Sequence, residues 1–325
     1  MNTQGKGKMM RLELKNVHKS FDGKEVLKGV SFSVESGRAL GLLGRNGAGK
    51  TTSIRIIMDI FRANEGEVLL DGKKFDPSRN QVGYLPEERG MYPKKTVIEQ
   101  MVYFARLRGM DKASAVESAR KWLNRLQIAE YEKRKMDTLS KGNQQKVQLA
   151  ATLVCNPDIV VLDEPFSGLD PVNSQILKEV ITELITEGKI VIFSSHQMSY
   201  VEEFCEDIAI INQGEVVLSG SLEDIKEEYG LGRKTLSALN LSLDELEQCC
   251  REKLTDVLEV EGRDKHNIIV RLKDGEDQWK ALSRLQEEKI DIDKYGSYEP
   301  SLNDIFVSCV GDEAQDVQQE ERSRD

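Results

Sequence analysis

The chain has 325 residues with 46 Lys and Arg against 56 Asp and Glu, a net charge of −10, and its length allows one large domain or a medium domain with a smaller companion. Charged residues make up 31% of the sequence and hydrophobic residues 39%, which is typical of a water-soluble globular protein and excludes one built from membrane-spanning helices. The acidic balance argues against nucleic acid as the main partner, and the odd number of cysteines, 5, fits a reducing cytosol better than a disulfide framework.

Short strands with alternating apolar and polar residues are predicted between residues 11 and 72. From about residue 96 to 154 the apolar residues recur three and four positions apart, which predicts a largely helical insert. Two short apolar strands follow at 159–163 and 190–195, with a helical stretch at 172–187 between them. This strand-helix-strand order indicates a parallel sheet.

The pattern changes after the first two thirds of the chain, which predicts two domains. Residues 10–222 form the larger one, and an acidic stretch at 223–232 is predicted as a linker. Within residues 233–310, strands are predicted at 257–262, at 267–272 and near residue 290, and helices at 277–288 and 301–310, which is typical of a small α+β accessory domain. Residues 1–9 are predicted to be flexible, and the acidic tail at 311–325 is predicted to be disordered.

A phosphate-binding loop is predicted at residues 44–51, GRNGAGKT, which match the pattern G-x-x-x-x-G-K-[ST] between a strand-like and a helix-like segment. Its glycines let backbone N–H groups turn toward a phosphate, and the helix N-terminus adds a positive dipole end. Lys50 is expected to reach the β- and γ-phosphates, and Thr51 to bind Mg²⁺. The residues predicted to contact the nucleotide here are Gly44, Arg45, Asn46, Gly47, Ala48, Gly49, Lys50, Thr51 and Thr52.

Two apolar strands end in residues suited to hydrolysis. The strand at 159–163 ends in Asp163 and is followed by Glu164, and His196 follows the next strand. Because parallel strands bring their carboxyl ends to one edge of a sheet, these side chains are expected near the phosphate loop. Asp163 would hold Mg²⁺ through water, Glu164 would polarise the attacking water, and His196 would hydrogen-bond the γ-phosphate.

Five elements, in this order along the chain, resemble the ATP-binding-cassette (ABC) ATPases. Besides the phosphate loop and the acidic strand, residues 139–145, LSKGNQQ, resemble the family signature LSGGQ, and residues 167–170, SGLD, resemble its D-loop. Phe21 stands where the family places an aromatic side chain that stacks on adenine. The resemblance covers about residues 10–222 and implies an α/β P-loop NTPase fold of ABC type, with an antiparallel β subdomain and a helical insert.

The resemblance also implies ATP and Mg²⁺ as cofactors and a head-to-tail dimer of two cassettes. Ser140 and Gly142 would face the γ-phosphate held by the partner subunit's Lys50, and Asp170 of the D-loop would lie beside the nucleotide. Glu87 departs from the family pattern, because that position usually carries a glutamine. A carboxylate at Glu87 is still expected to contact the nucleotide and coordinate Mg²⁺.

Three segments favour one subgroup of the family. GYLPEERG, LSKGNQQK and the C-terminal EPSLNDIF resemble single-cassette exporter ATPases, including NatA-like sodium and drug efflux subunits. The resemblance implies an ATP-hydrolysing subunit that is peripheral on the cytoplasmic face of the cell membrane. It would drive a separate transmembrane permease, docking through residues 87–103.

Two other readings compete with an exporter subunit. A soluble ABC ATPase of translation or DNA repair usually carries two cassettes, long coiled coils or zinc modules, and this sequence has a single cassette and neither insertion. A catalytically silent regulatory cassette is disfavoured because Lys50, Asp163, Glu164 and His196 are all present. The transported substrate and the role of the C-terminal domain stay open.

Overall fold

The computed structural model describes residues 9–88, 90–273 and 277–311. It divides into two compact units, Met1–Leu222 and Glu223–Asp325, which are taken separately below. The predicted flexible N-terminus and the predicted disordered tail lie outside the described residues, apart from Met9 and Gly311.

The strands of the first unit form an antiparallel sheet and a mainly parallel sheet. The antiparallel sheet has the order β2-β1-β4-β5, and the other has the order β10-β9-β3-β8-β7-β6, in which β9 to β6 run parallel. The strands are β1 Arg11–Phe21, β2 Lys24–Glu35, β3 Ala39–Leu43, β4 Glu65–Leu70, β5 Lys73–Lys74, β6 Val82–Leu85, β7 Ile159–Asp163, β8 Ile190–Ser194, β9 Asp207–Asn212 and β10 Glu215–Ser221. Strands β3, β7 and β8 are buried at every position, as their unbroken apolar sequences require in a sheet covered on both faces.

Four helices of the first unit begin at a residue whose side chain caps the helix. The helices of this unit are α1 Lys50–Ile57, α2 Val97–Leu107, α3 Lys112–Arg125, α4 Lys141–Leu153, α5 Pro171–Thr186 and α6 Met198–Phe204. Thr96 and Glu99 form a capping box at α2, Asp111 caps α3, and Ser140 and Asp170 cap α4 and α5. Helices α2 to α4 make up the helical insert, and α2 and α3 each bury an apolar stripe at four-residue spacing: Val97, Met101, Ala105, Ala115, Ala119 and Leu123.

One hydrophobic core joins the two sheets of the first unit. Leu14 of β1, Leu42 of β3, Ile54 of α1 and Val161 of β7 belong to it, and each is at most 1% exposed. Burial of this core fixes the carboxyl edge of the parallel sheet, where the phosphate loop leaves β3.

The second unit contains a small antiparallel sheet of order β12-β13-β11-β14. Its elements are α7 Leu222–Gly230, β11 Arg233–Ala238, α8 Leu243–Lys253, β12 Leu258–Arg263, β13 Ile268–Leu272, α9 Gln278–Glu287, β14 Ile292–Ser297 and α10 Leu302–Val310. The run from β11 to β14 has the β-α-β-β-α-β order of the ferredoxin-like arrangement. Leu236, Leu246, Ile268 and Leu285 lie at the centre of its core, fully buried.

The predicted fold class, α/β with an antiparallel subdomain, a helical insert and a small α+β domain, is confirmed. Two elements of the second unit were not predicted. Strand β11 was missed because its buried positions include Thr235 and Ser237, so it lacks a clear apolar alternation. Helix α8 was missed because its only buried residues are Leu246 and Cys250.

Candidate nucleotide site

The phosphate loop connects β3 to α1 and is braced by neighbouring backbone. Gly214 N–H donates to the Ala48 carbonyl at 3.0 Å, and Lys28 N–H donates to the Gly214 carbonyl at 2.8 Å. At Gly44, where φ is 153°, an added Cβ would lie 2.4 Å from the Ile211 carbonyl oxygen, so a side chain would displace the loop. The tip at Asn46 and Gly47 is exposed, whereas Thr51 and Thr52 of the first turn of α1 are half-buried and Arg45 is likewise partly covered.

Lys50 is buried within this loop. Its Nζ donates to the Gly44 carbonyl at 2.7 Å and to the Arg45 carbonyl at 3.2 Å. Burial lowers the pKa of Lys50, and the charges of Glu164, Asp163 and Glu87 act in the opposite direction. Lys50 is therefore a buried amine on which three nearby carboxylates act electrostatically.

Asp163 ends β7 and is almost completely buried, at 1% exposure. Its Oδ1 accepts a hydrogen bond from Ser194 Oγ at 2.5 Å, whereas its Oδ2 is buried without a hydrogen-bond partner among the described residues. A buried carboxylate oxygen is costly unless it binds a donor or a cation. The donor set at this edge, a carboxylate and the Thr51 hydroxyl, fits the oxygen ligands and waters that Mg²⁺ prefers.

Glu164 lies immediately beyond β7 in a left-handed backbone conformation, with φ 49°. Its N–H donates to Ser194 Oγ at 3.0 Å, and its Oε2 lies 2.9 Å from His196 Nδ1. A non-glycine residue pays about 1–3 kcal/mol for such a conformation, and this cost is characteristic of functional sites. The backbone thus turns the Glu164 carboxylate toward His196 at the carboxyl edge of the sheet.

The signature segment and the D-loop lie against each other within one subunit. Ser140 caps α4, its Oγ accepting from Asn143 N–H at 3.3 Å. A Cβ at Gly142 would lie 3.2 Å from Asn173 Nδ2 and 3.7 Å from Leu169 Cδ2. Asp170 caps α5, and the backbone hydrogen bond from Asn173 lowers the pKa of Asp170.

Comparison with known proteins identifies the family to which this chain belongs. Residues 27–167 match the family described as ABC transporter, and residues 220–310 match the C-terminal domain of DrrA1-3-like ATP-binding proteins. The chain is 39% identical to the ABC transporter ATP-binding protein YhaQ of Bacillus subtilis, over 92% of this chain and 98% of YhaQ. It is also 36% identical to the ABC transporter ATP-binding protein NatA of Bacillus subtilis, over 63% of this chain and 87% of NatA. The chain belongs to the ATP-binding proteins of ABC transporters.

The likeness extends to a solved structure. The dimeric structure of MJ0796, a bacterial ABC transporter cassette, matches with a TM-score of 0.60 and 26% identity, over 65% of this chain and 98% of that chain. The predicted ABC-type fold and the resemblance to NatA-like ATP-binding subunits with a C-terminal accessory domain are confirmed. Across the part of the chain that the structure describes, no helix is both long enough and apolar enough to cross a membrane.

Glu87 of this ABC transporter ATP-binding protein follows β6, which pairs with β7 in parallel up to Leu85 and Leu162. It therefore emerges at the same sheet edge as Asp163, and its side chain is exposed. The charge of Glu87 acts to raise the pKa of Lys50, against the larger effect of burial, which lowers it. Its coordination of Mg²⁺ stays a prediction.

Phe21, at the end of β1, is 37% exposed in this ABC transporter ATP-binding protein. Its ring packs edge-on against Phe61 with 5.2 Å between centroids, and Lys19 Nζ lies 4.9 Å from its centroid. An exposed aromatic ring can accept a stacked base. Stacking on adenine stays a prediction.

Ser194 is a site residue of this ATP-binding protein that the sequence analysis missed. It lies fully buried at the end of β8, between Asp163 and Glu164, and hydrogen-bonds both. Ser194 could have been found from the sequence, because it is the last residue of the strand before His196. In a parallel sheet that residue lies beside Asp163, the last residue of the neighbouring strand β7.

Proposed function

We propose that this ABC transporter subunit hydrolyses ATP and, as one half of a cassette dimer, powers a separate membrane permease that exports a substrate. One observation carries the catalytic part: Asp163, Glu164 and His196 converge at the sheet edge beside the buried Lys50. A phosphate cation, a metal-binding carboxylate and a general base within one cleft are the components that phosphoryl transfer to water requires.

The residues have separate roles in this proposal. Lys50 and the loop N–H groups bind the phosphates, while Thr51 and Asp163 hold Mg²⁺, with Glu87 as a further oxygen ligand. Bound Mg²⁺ supplies positive charge against the phosphate oxygens. Glu164 orients a water and takes its proton, and His196, 2.9 Å away, holds the Glu164 carboxylate and reaches toward the γ-phosphate.

The position of the signature segment supports the proposed dimer. Ser140 and Gly142 begin α4, so their backbone N–H groups form a helix-N-terminus anion site for the ATP of a second cassette. The dimeric MJ0796 cassette supports this arrangement. ATP then favours the closed dimer because it contacts Ser140 and Gly142 only there, and hydrolysis reopens it.

The glutamate at position 87, where the family usually carries a glutamine, can be tested directly. We expect Glu87→Gln to raise the half-saturating Mg²⁺ concentration roughly tenfold, because an amide oxygen is a weaker ligand than a carboxylate. ATP hydrolysis measured against free Mg²⁺ concentration checks this. The matched control is Glu88→Gln, an exposed neighbour for which we expect an unchanged curve. An unchanged curve for Glu87→Gln would remove the carboxylate from the metal site.

A surface of the helical insert supports docking to a permease. Its exposed apolar residues are Tyr92, Tyr103 and Leu107, at 54%, 48% and 65% exposure. Tyr103 and Leu107 line a groove of about 650 Å³ along α2. Tyr92 is held to α2 by its N–H, which donates to Gln100 Oε1 at 2.7 Å. Exposed apolar patches of this kind mark interaction sites, and a short amphipathic helix in a cytoplasmic loop of the permease would fit it.

The experiment that tests this function is purification of tagged Glu164→Gln protein with ATP and Mg²⁺ from detergent-solubilised native cells, followed by mass spectrometry. We expect a stoichiometric polytopic membrane protein, which would also place this subunit on the cytoplasmic face of the membrane. Recovery of ribosomal or DNA-repair proteins instead would reassign the cassette to translation or repair.

Two surface variants sharpen this experiment. Tyr103→Glu places a charge in the groove, so we expect it to abolish recovery of the membrane protein while ATP binding persists. Trp279→Glu changes an aromatic residue of the second unit that is 69% exposed, and we expect normal recovery. Equal recovery with both variants would exclude the groove as the docking surface.

A further inference from the structure

Helix α4 is tied to the segment that carries the catalytic carboxylate through a buried glutamine. Gln145 is 6% exposed, and its Nε2 donates to the Pro165 carbonyl at 3.3 Å. Pro165 directly follows Glu164 in the chain. The hydrogen bond therefore joins the second turn of α4 to the backbone that sets the position of Glu164.

A close approach between α4 and the same segment lies at the segment's other end. Asn173 Nδ2 lies 3.2 Å from where a Gly142 Cβ would stand, and it donates to Asp170 Oδ2 at 2.6 Å. The close approach leaves no room for a side chain at Gly142 without moving Asn173. Residues 164–173 thus lie against the start of α4 at both ends, with a hydrogen bond at one end and a close approach at the other.

The segment itself is stiff enough to transmit a displacement. Phe166 is 4% exposed and stacks on Tyr200 of α6, with 4.0 Å between ring centroids and 19° between planes. Glu164 is held in a left-handed conformation by Ser194. Packed elements of this kind shift between discrete positions and do not deform continuously, so a shift of α4 moves the Glu164 carboxylate.

We propose that Gln145 is a positioning residue that couples phosphate contact at Ser140 and Gly142 to the placement of Glu164. The coupling rests on the proposed function, because the phosphate at Ser140 belongs to ATP held by a second cassette. Gln145 would act on hydrolysis through the backbone of Pro165, and Asn173 bonds Asp170 near the far end of the same segment.

The test is Gln145→Met, which keeps the side-chain volume and removes the amide donor. We expect kcat for ATP hydrolysis to fall between about tenfold and a hundredfold, because a displaced general base loses alignment. We expect the Kd for ATP to change less than about twofold, since Lys50 and its loop are untouched. Steady-state kinetics measure kcat, with the concentration of active subunits determined from ATP binding. Equilibrium binding of ATP measures the Kd separately.

The matched control is Gln100→Met. Gln100 is 2% exposed, and its Nε2 donates to the Lys95 carbonyl at 3.3 Å, but it lies on α2 in the helical insert. We expect both constants to stay near those of the unchanged protein. Should kcat fall equally in both variants, or kcat and ATP affinity fall together in Gln145→Met, the role of Gln145 is structural and the inference is overturned.

Asn173→Ala provides a second variant at a half-buried position where folding is less at risk. We expect a fall in kcat with unchanged ATP affinity here as well. If neither variant lowers kcat while the unchanged protein hydrolyses ATP, the coupling is wrong and the proposed function stands. Absence of hydrolysis by the unchanged protein would instead reject the proposed function.

Discussion

Replacing Glu164 by Gln is expected to lower kcat for ATP hydrolysis by about 10²–10⁴-fold while ATP binding is retained, because a positioned general base contributes that much. Gln has nearly the same shape as Glu but cannot take a proton from water. The nucleotide is then trapped unhydrolysed, and ATP holds the two cassettes together. Steady-state hydrolysis and gel filtration with ATP and Mg²⁺ measure the two effects, and we expect a stable dimer.

His196 provides an internal control for Glu164. Because His196 Nδ1 lies 2.9 Å from Glu164 Oε2, the two side chains act as one unit. The double variant Glu164→Gln with His196→Ala is therefore expected to lose little more activity than Glu164→Gln alone. Glu183→Gln, which alters an exposed carboxylate bonded to Arg125, should hydrolyse normally. Normal turnover by Glu164→Gln would show that Glu164 is not the base.

The phosphate loop and the acidic strand could be located from the sequence because each is local. The loop needs glycines at fixed spacing between a strand and a helix, and β7 is an unbroken apolar run that ends in Asp163. Parallel pairing of β7 with β8 then places Ser194 and His196 beside Asp163 and Glu164. Because parallel strands end at one edge of a sheet, predicting the strands also predicted His196 near Asp163 and Glu164, whereas Ser194 was missed.

The hydrogen bond between α4 and the segment that follows Glu164 could not be predicted in this way. The bond from Gln145 to Pro165 joins residues 20 apart in sequence, and it depends on the angle at which α4 packs. A glutamine in an amphipathic helix resembles a solvated residue until its neighbours are known. Contacts across a cassette dimer likewise depend on a second chain, so Ser140 and Gly142 stay predictions for that role.

Prediction of the second unit from its sequence failed at two elements for a different reason. Helix α8 has few apolar residues, but its capping box at Ser242 and Glu245 is a sequence signal that would have located its start. Strand β11 pairs with both β13 and β14 and is central to its sheet although it carries buried Thr235 and Ser237. Tertiary pairing here outweighs local propensity, so the ferredoxin-like order is visible only in the folded structure.

Replacing Lys50 by Ala is expected to weaken ATP binding by at least about a hundredfold, because loss of one partner from a buried charge pair costs several kcal/mol. Lys50 is 7% exposed and its burial lowers its pKa, so the folded protein without nucleotide disfavours the charged form of Lys50. The negative charge of a bound triphosphate would offset the cost of burying a charged Lys50. Alanine cannot make this interaction with the triphosphate. Equilibrium titration with a fluorescent ATP analogue measures the change.

The matched control for Lys50 is Lys189→Ala. Lys189 is another buried lysine, 8% exposed and 3.5 Å from Asp158 Oδ1, but it precedes β8 and so lies at the opposite edge of the parallel sheet. A strand of five residues separates the two edges by about 16 Å, too far for contact with a phosphate at the loop. We therefore expect Lys189→Ala to lower stability and leave ATP affinity unchanged. Micromolar ATP binding by Lys50→Ala would contradict the assignment of the loop as the phosphate site.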